Sequence, residues 1–277
     1  MNWIQSVMMG FVSGICEPLP MSAEAHLGLL RHITGAEPAG TLFHLSCRIA
    51  VLIVLLSAGR LELHRLQRTA KILKTPPRRR TGRPELNSAG TLQMLRGGVL
   101  LAVAGRILGT RLSFMAQRLW MPVIPLLLCG LILWLPSHFR SANKDGRHMT
   151  AADGLLMGLG FLLGAVPGLS GVGIATAAAA IRGASRSFAL RFAWILTAVS
   201  LAAGIVMDLV TMAISGFTFA PAQLLSAGLG AASAAVGAYL AIHFARSRIR
   251  PGSAGLGGFC YYNWGQALLS AALFLLV

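Results

Sequence analysis

The stretch GICEPLPMSAEAHLGLL, residues 14–30, decides how this chain must be built. Most of it is apolar enough to enter a lipid bilayer. Yet Glu17, Pro18, Pro20, Ser22, Glu24 and His26 crowd its centre. In hydrocarbon, unpaired backbone N–H and C=O groups are tolerated only where protein or a water-filled cavity satisfies them. A proline-broken segment that carries ionisable groups therefore points to a polar cavity inside a membrane protein.

The rest of the composition agrees. Of 277 residues, 55% are hydrophobic and 12% charged, and the mean hydropathy is +0.69. A soluble domain carries about 25% charged residues. The net charge of +16 does not imply nucleic acid, because the basic residues sit in short segments between apolar runs, the positive-inside pattern. Those segments favour anionic membrane lipids as neighbours. Cys16, Cys47, Cys129 and Cys260 lack metal-site spacing and read as small core residues. The opening MNWIQSVMMGFVSG has no basic n-region, so it reads as part of the mature fold rather than a cleaved signal.

Apolar spans are expected at 41–58, near 90–112, at 119–136, 188–214, 224–244 and 255–277. Basic loops at 60–86, 138–148 and 245–251 fall on the cytoplasmic side. Arg182, Arg186 and Arg191 mark an inside start for the span at 188–214. Segments 1–40 and 150–187 must then each begin and end on one side, which suits re-entrant hairpins. Both carry G-F-x-x-G before a Pro-containing break and a serine, GFVSGICEPLPMS from Gly10 and GFLLGAVPGLS from Gly160. Similar elements in opposite orientation make an inverted-topology repeat. The expected fold is an all-α polytopic membrane protein of about six full spans plus two re-entrant broken-helix hairpins. It forms one integral membrane domain, with repeat one at 1–137 and repeat two at 150–277.

Pro18, Pro20, Pro167, Gly168, Gly171 and Gly173 place the breaks beside the cavity, where half-helix N-termini attract an anion. Glu17 and His26 are ionisable groups in an apolar setting, functional by default, with snorkelling or helix capping as the bland alternative. Ser22 suits an N-cap with Glu24 and Ala25 in the first turn. Ser170, within PGLSGVG, fits an anion-binding nest or a helix contact of small residues. Arg48 lies a few residues into a span and faces either a cavity or the outer surface. Asp208 reads as interfacial, and Arg106 and Arg111 as outer-end residues that draw lipid phosphate.

From Ser13 to His26 the chain reads S-G-I-C-E-P-L-P-M-S-A-E-A-H. This resembles the motif E-G-x-T-E-F-L-P-V-S-S-x-G-H of the undecaprenyl-diphosphatase family, the bacitracin-resistance proteins. The second motif, P-G-x-S-R-S-G, stands here as P-G-L-S-G-V-G, Pro167 to Gly173. Gly183-Ala184-Ser185-Arg186, then Phe192, Gly204 and Asp208, continue the likeness over the full chain. The resemblance implies hydrolysis of a polyprenyl diphosphate to the phosphate, recycling a cell-wall lipid carrier. It implies a multi-pass protein of the bacterial cytoplasmic membrane, a site facing the outer side, and help from Mg2+ or Ca2+.

The chain is a divergent member by this reading. Ser13 stands for the first glutamate, Ala23 for the second serine, and Gly171 and Val172 for the arginine and serine of the second motif. The resemblance then gives His26, Glu17 and Ser22 as catalytic residues. Ser170, Gly168 and Gly171 of the second motif, together with Arg48, are expected to bind substrate, and Glu17 with Glu24 to hold a metal, although Arg48 and Glu24 are not part of the family pattern. Arg48 is expected to replace the lost arginine and Glu24 the lost carboxylate. The rival reading is a non-hydrolytic relative that binds or translocates polyprenyl phosphate. A homodimer is compatible with either.

Overall fold

A computed structural model describes residues 2–76, 82–139, 143–216, 220–249 and 255–276. Every regular element among them is a helix. Helix α1 (Trp3–Cys16) starts where the Asn2 carboxamide accepts from the Gln5 amide at 2.8 Å and the Gln5 side chain accepts from the Asn2 amide at 2.9 Å. It stops before Pro18 and Pro20, which cannot donate to an i−4 carbonyl and clash with the preceding turn. Helix α2 (Ala23–Thr34) restarts with Ser22 as N-cap and ends on Gly35 in the left-handed conformation.

The same plan recurs later. Helix α7 (Ala151–Leu163) opens on Thr150 and Asp153, whose carboxylate accepts from the Thr150 amide at 2.8 Å. It stops at Gly164, and α8 (Gly171–Ile181) begins with Ser170 as N-cap. Both expected hairpins are thus helix–break–helix units.

Helices α3 (Thr41–Ala58), α5 (Leu86–Leu112, extended by a 3-10 turn to Gln117), α9 (Arg186–Ser215) and α10 (Pro221–Arg248) are long and apolar enough to cross a membrane. The expected span at 119–136 is a shorter helix, α6 (Val123–Trp134), followed by a 3-10 turn at Leu135–His138. The last is α11 (Gly255–Leu276).

One expectation is corrected. Residues 60–74, expected as a basic loop, form helix α4 (Arg60–Lys74). Leu66 and Thr69 are buried on one side while Arg65, Arg68 and Lys71 are exposed on the other, a helical period that the charge density hides. Residues 77–81 of the same segment, 140–142 of the second loop and 250–251 of the third lie outside the described residues.

Packing rests on small residues. Helix α1 crosses α10 where Gly10 and Gly14 meet the backbone of Gly230 and Ala234. Helix α7 crosses α5 where Gly154 and Gly158 meet Met94 and Gly98. A Cβ at any of these glycines would strike a carbonyl or Cα of the partner helix. Lipid tails are as apolar as leucine, so association must come from such close van der Waals contact. The two crossings hold the hairpins so that their breaks meet at the centre.

Candidate active site

At that meeting point the breaks bind each other. The Gly168 amide donates to Ser22 Oγ at 2.8 Å. Ser170 Oγ donates to the Leu19 carbonyl at 3.5 Å while accepting from the Gly173 amide at 3.1 Å. Breaking a helix leaves carbonyls without partners, and side chains from elsewhere fill them. Trp194 Nε1 donates to the Pro18 carbonyl at 2.8 Å, and Asn263 Nδ2 to the Pro20 carbonyl at 3.2 Å. Gly168 has φ +103°, and a Cβ there would lie 2.7 Å from the Pro122 carbonyl. Only glycine fits both demands without strain.

A cavity of about 370 Å³ opens beside the junction. Glu17, Ser22, Glu24 and Arg31 line it from the first hairpin, and Ser170 and Gly171 from the second. Arg48 and His44 from α3, Arg106 from α5 and Ser200 and Asp208 from α9 also line it. Three arginines and three carboxylates share this wall, so their formal charges cancel.

The charges are ordered in pairs. Arg48 Nη1 donates to Asp208 Oδ2. Arg106 Nη2 donates to Glu17 Oε1 at 3.1 Å, and its Nε donates to Ser200 Oγ at 3.1 Å. Both pairs are mostly buried, with side-chain exposures of 12–18%. The two arginines lie side by side across Gly204. A Cβ on Gly204 would be 3.2 Å from Arg48 Cδ and 3.4 Å from Arg106 Cδ. A pair of forked guanidinia, each held by one carboxylate, suits an anion with several oxygens.

The expected site residues are sorted by this geometry. Glu17, Ser22, Glu24, Arg48, Ser170 and Gly171 come together in the cavity wall. Gly168 is buried and spends its amide on Ser22, so it builds the junction and does not line the cavity. His26 is on the far side of α2. Its Nδ1 lies 2.6 Å from the Ser22 carbonyl and its Nε2 2.8 Å from Tyr262 Oη. A carbonyl only accepts, so Nδ1 carries the proton and Nε2 accepts from Tyr262. His26 touches the junction through the backbone of Ser22.

Two residues take a larger part than their sequence positions suggest. Asp208, expected at an interface, is buried against Arg48, because an arginine inside a bundle requires a nearby carboxylate. Arg106, expected near the outer end of its span, is instead the partner of Glu17. Its signal was present: an arginine within the apolar run GGVLLAVAGRILGT is itself a reason to expect a cavity.

Among the described residues no three His, Cys, Asp or Glu side chains form a metal-holding group. The cavity does offer the Glu17 and Glu24 carboxylates, the oxygen donors that a hard divalent cation takes, and Mg2+ often needs only one or two carboxylates beside substrate phosphates.

Residues 6–269 match the family model described as bacitracin resistance protein BacA. The undecaprenyl-diphosphatase of Carboxydothermus hydrogenoformans is 29% identical over 265 residues, covering 95% of this chain and 94% of that protein. That of Methanobrevibacter smithii is 27% identical over 280 residues, covering 95% of each chain. That of Micrococcus luteus is 27% identical over 284 residues, covering 100% of this chain and 98% of that protein.

Proposed function

The chain belongs to the bacitracin resistance protein BacA family, and we propose that it is a membrane phosphatase that hydrolyses a polyprenyl diphosphate, of the undecaprenyl class, to the monophosphate. Water adds to the terminal phosphorus and the bridging P–O bond breaks. Polyprenyl phosphate and inorganic phosphate leave. The observation that carries this reading is the pair of buried guanidinia, Arg48 and Arg106, set across Gly204 at the junction of two broken helices.

Each role follows from position. Arg48 and Arg106 exchange part of their bonding from Asp208 and Glu17 to the incoming diphosphate, whose charge builds on the same oxygens in the transition state. Glu17, once released, is a carboxylate within the cavity and serves as base toward water. Ser22 Oγ already accepts from the Gly168 amide, so its own proton is directed to another acceptor, and the substrate supplies one. His26 acts as a positioning residue that fixes Ser22 from behind. Ser170 and Gly171 offer the start of α8 to the phosphate.

The cavity wall is formally neutral, so a diphosphate arrives with its charge uncompensated. That supports a divalent cation, Mg2+ or Ca2+, held by Glu24 with Glu17 and completed by substrate oxygens. Bound there, it would act as a Lewis acid on the phosphate.

The architecture supports two inverted repeats, 1–137 and 150–277. Pairings are reciprocal: α1 lies on α10 as α7 lies on α5, and α3 lies on α10 as α9 lies on α5, while α6 pairs with α11 and α3 with α9. We place α1–α2 and α7–α8 as the re-entrant hairpins and the other long helices as spans of the bacterial cytoplasmic membrane. The basic segments lie inside and the cavity opens outside.

The test is phosphate release from undecaprenyl diphosphate by the purified protein in detergent, with Mg2+ and with chelator. Arg106→Ala should lower the rate by about 10³-fold, the scale of arginine stabilisation in phosphoryl transfer. Arg48→Ala should lower it as well, in protein that keeps its thermal unfolding profile. Retained lipid binding with no release in the unaltered chain would overturn hydrolysis and leave a lipid-phosphate binder.

A further inference from the structure

We infer that the protein carries a second lipid-phosphate site, at the C-terminal end of α3 and beside the first half of α9, on the other side of Trp194 from the first hairpin's break. It is a pocket of about 140 Å³ where α3 ends at Gly59 and turns into α4. The cavity takes His44 and Arg48 from α3, whereas the pocket takes Leu55, Leu56 and Ala58. On α3 the nearest lining residues, Arg48 of the cavity and Leu55 of the pocket, are seven residues apart, about 10 Å at ~1.5 Å per residue, and on α9 Thr197 of the cavity adjoins Ala198 of the pocket. The pocket lies at the end of the bundle that bears the basic segments.

Its chemistry is two-sided. Arg191 and Arg246 supply cationic groups. Arg246 Nη2 donates to the Ala58 carbonyl at 2.7 Å, and its guanidinium carbon stands 5.7 Å from the centre of the Trp194 ring. Arg191 Nε lies 3.7 Å from Glu62, beyond hydrogen-bond reach. Among the lining side chains, two guanidinia stand beside one carboxylate, Glu62. The rim is apolar and exposed: Leu56 is 41% and Leu61 70% exposed. A phosphate between two arginines, with acyl chains running over Leu56 and Leu61, satisfies both halves. Free phosphate would leave the rim unused, and a zwitterionic headgroup would bring an ammonium toward the arginines. The occupant that fits is the phosphate head of an anionic membrane lipid.

Trp194 makes the site readable. It lines this pocket and also donates to the Pro18 carbonyl in the first hairpin's break. A lipid headgroup here alters the surroundings of a tryptophan that holds the catalytic junction.

The experiment is a binding titration that needs no turnover, so its result is independent of hydrolysis. The full chain in phosphatidylcholine nanodiscs is titrated with phosphatidylglycerol while tryptophan fluorescence is recorded. A saturable change absent from Trp194→Phe is expected. Arg191→Gln should weaken it about fivefold, the effect of one arginine near an anionic surface. Arg246→Gln, which also removes a helix-end bond, should weaken it at least as much. Ala198→Leu, which fills the pocket and keeps both arginines, should abolish it. The site is overturned if the change persists in Trp194→Phe, or if additional phosphatidylcholine produces it equally. It is overturned as a lipid site if inorganic phosphate alone reproduces it at the same concentration.

Discussion

The two broken hairpins solve one problem with opposite chemistry. Between α1 and α2 the chain breaks with prolines, which supply no N–H, so that break presents carbonyls and the acidic side chain of Glu17. Between α7 and α8 the single proline, Pro167, is set among Gly164, Gly168 and Gly171, which keep their N–H, so that break also presents amides. The Gly168 amide donating to Ser22 Oγ is the direct result. Neither hairpin is satisfied alone. The acceptors of the first need Trp194 and Asn263 as well as the second hairpin. A carboxylate-rich half and an amide-rich half together make a place where an anion and its counter-charges can meet.

Substitutions at matched positions test that asymmetry. The largest difference should come from the two N-cap serines. Ser22→Ala removes a cavity-lining hydroxyl and orphans the Gly168 amide, and turnover should fall by about 10²-fold, the low end for a positioned catalytic group. Ser170→Ala removes chiefly a cap, costing about 1 kcal/mol of stability with a smaller change in turnover. Parallel rate assays and thermal melts separate the two. Equal rate losses would show that the hairpins are chemically equivalent.

Next comes backbone strain, expected only in the glycine break. Gly168→Ala forces a positive φ on a residue with a Cβ, and that Cβ meets the Pro122 carbonyl at 2.7 Å. The expected cost is about 1–3 kcal/mol, seen as a lower melting temperature in detergent. An effect of the same size or smaller concerns the proline break. Trp194→Phe leaves the buried Pro18 carbonyl without its donor, at about 1 kcal/mol if water reaches it and up to about 3 kcal/mol if not. A melting temperature unchanged by Trp194→Phe would mean that water or another protein donor satisfies the Pro18 carbonyl instead.

The resemblance and the local chemistry located the two breaks and the serines that restart each helix. They did not assign sides. On α2 the cavity-lining residues Glu24, Leu27 and Arg31 recur at helical spacing, and His26 lies about 200° from Glu24 at ~100° per residue. That period sets His26 and Glu24 on opposite faces of α2, against the expectation that both serve one site. It did not show which face meets the cavity. The arginine that replaces the missing one was sought at Arg48. The structure adds Arg106, brought to Glu17 from 89 residues away.

By itself the sequence determined a membrane-embedded helical protein with two interrupted segments, because hydropathy, proline's missing donor and serine capping act within a few residues of where they are written. Tertiary structure decided which charges pair and what surrounds them. Arg48 with Asp208 and Arg106 with Glu17 join helices far apart in the chain. Their meeting depends on how glycine-lined helices cross, and a crossing is fixed by the fit of two surfaces that no single stretch of sequence contains.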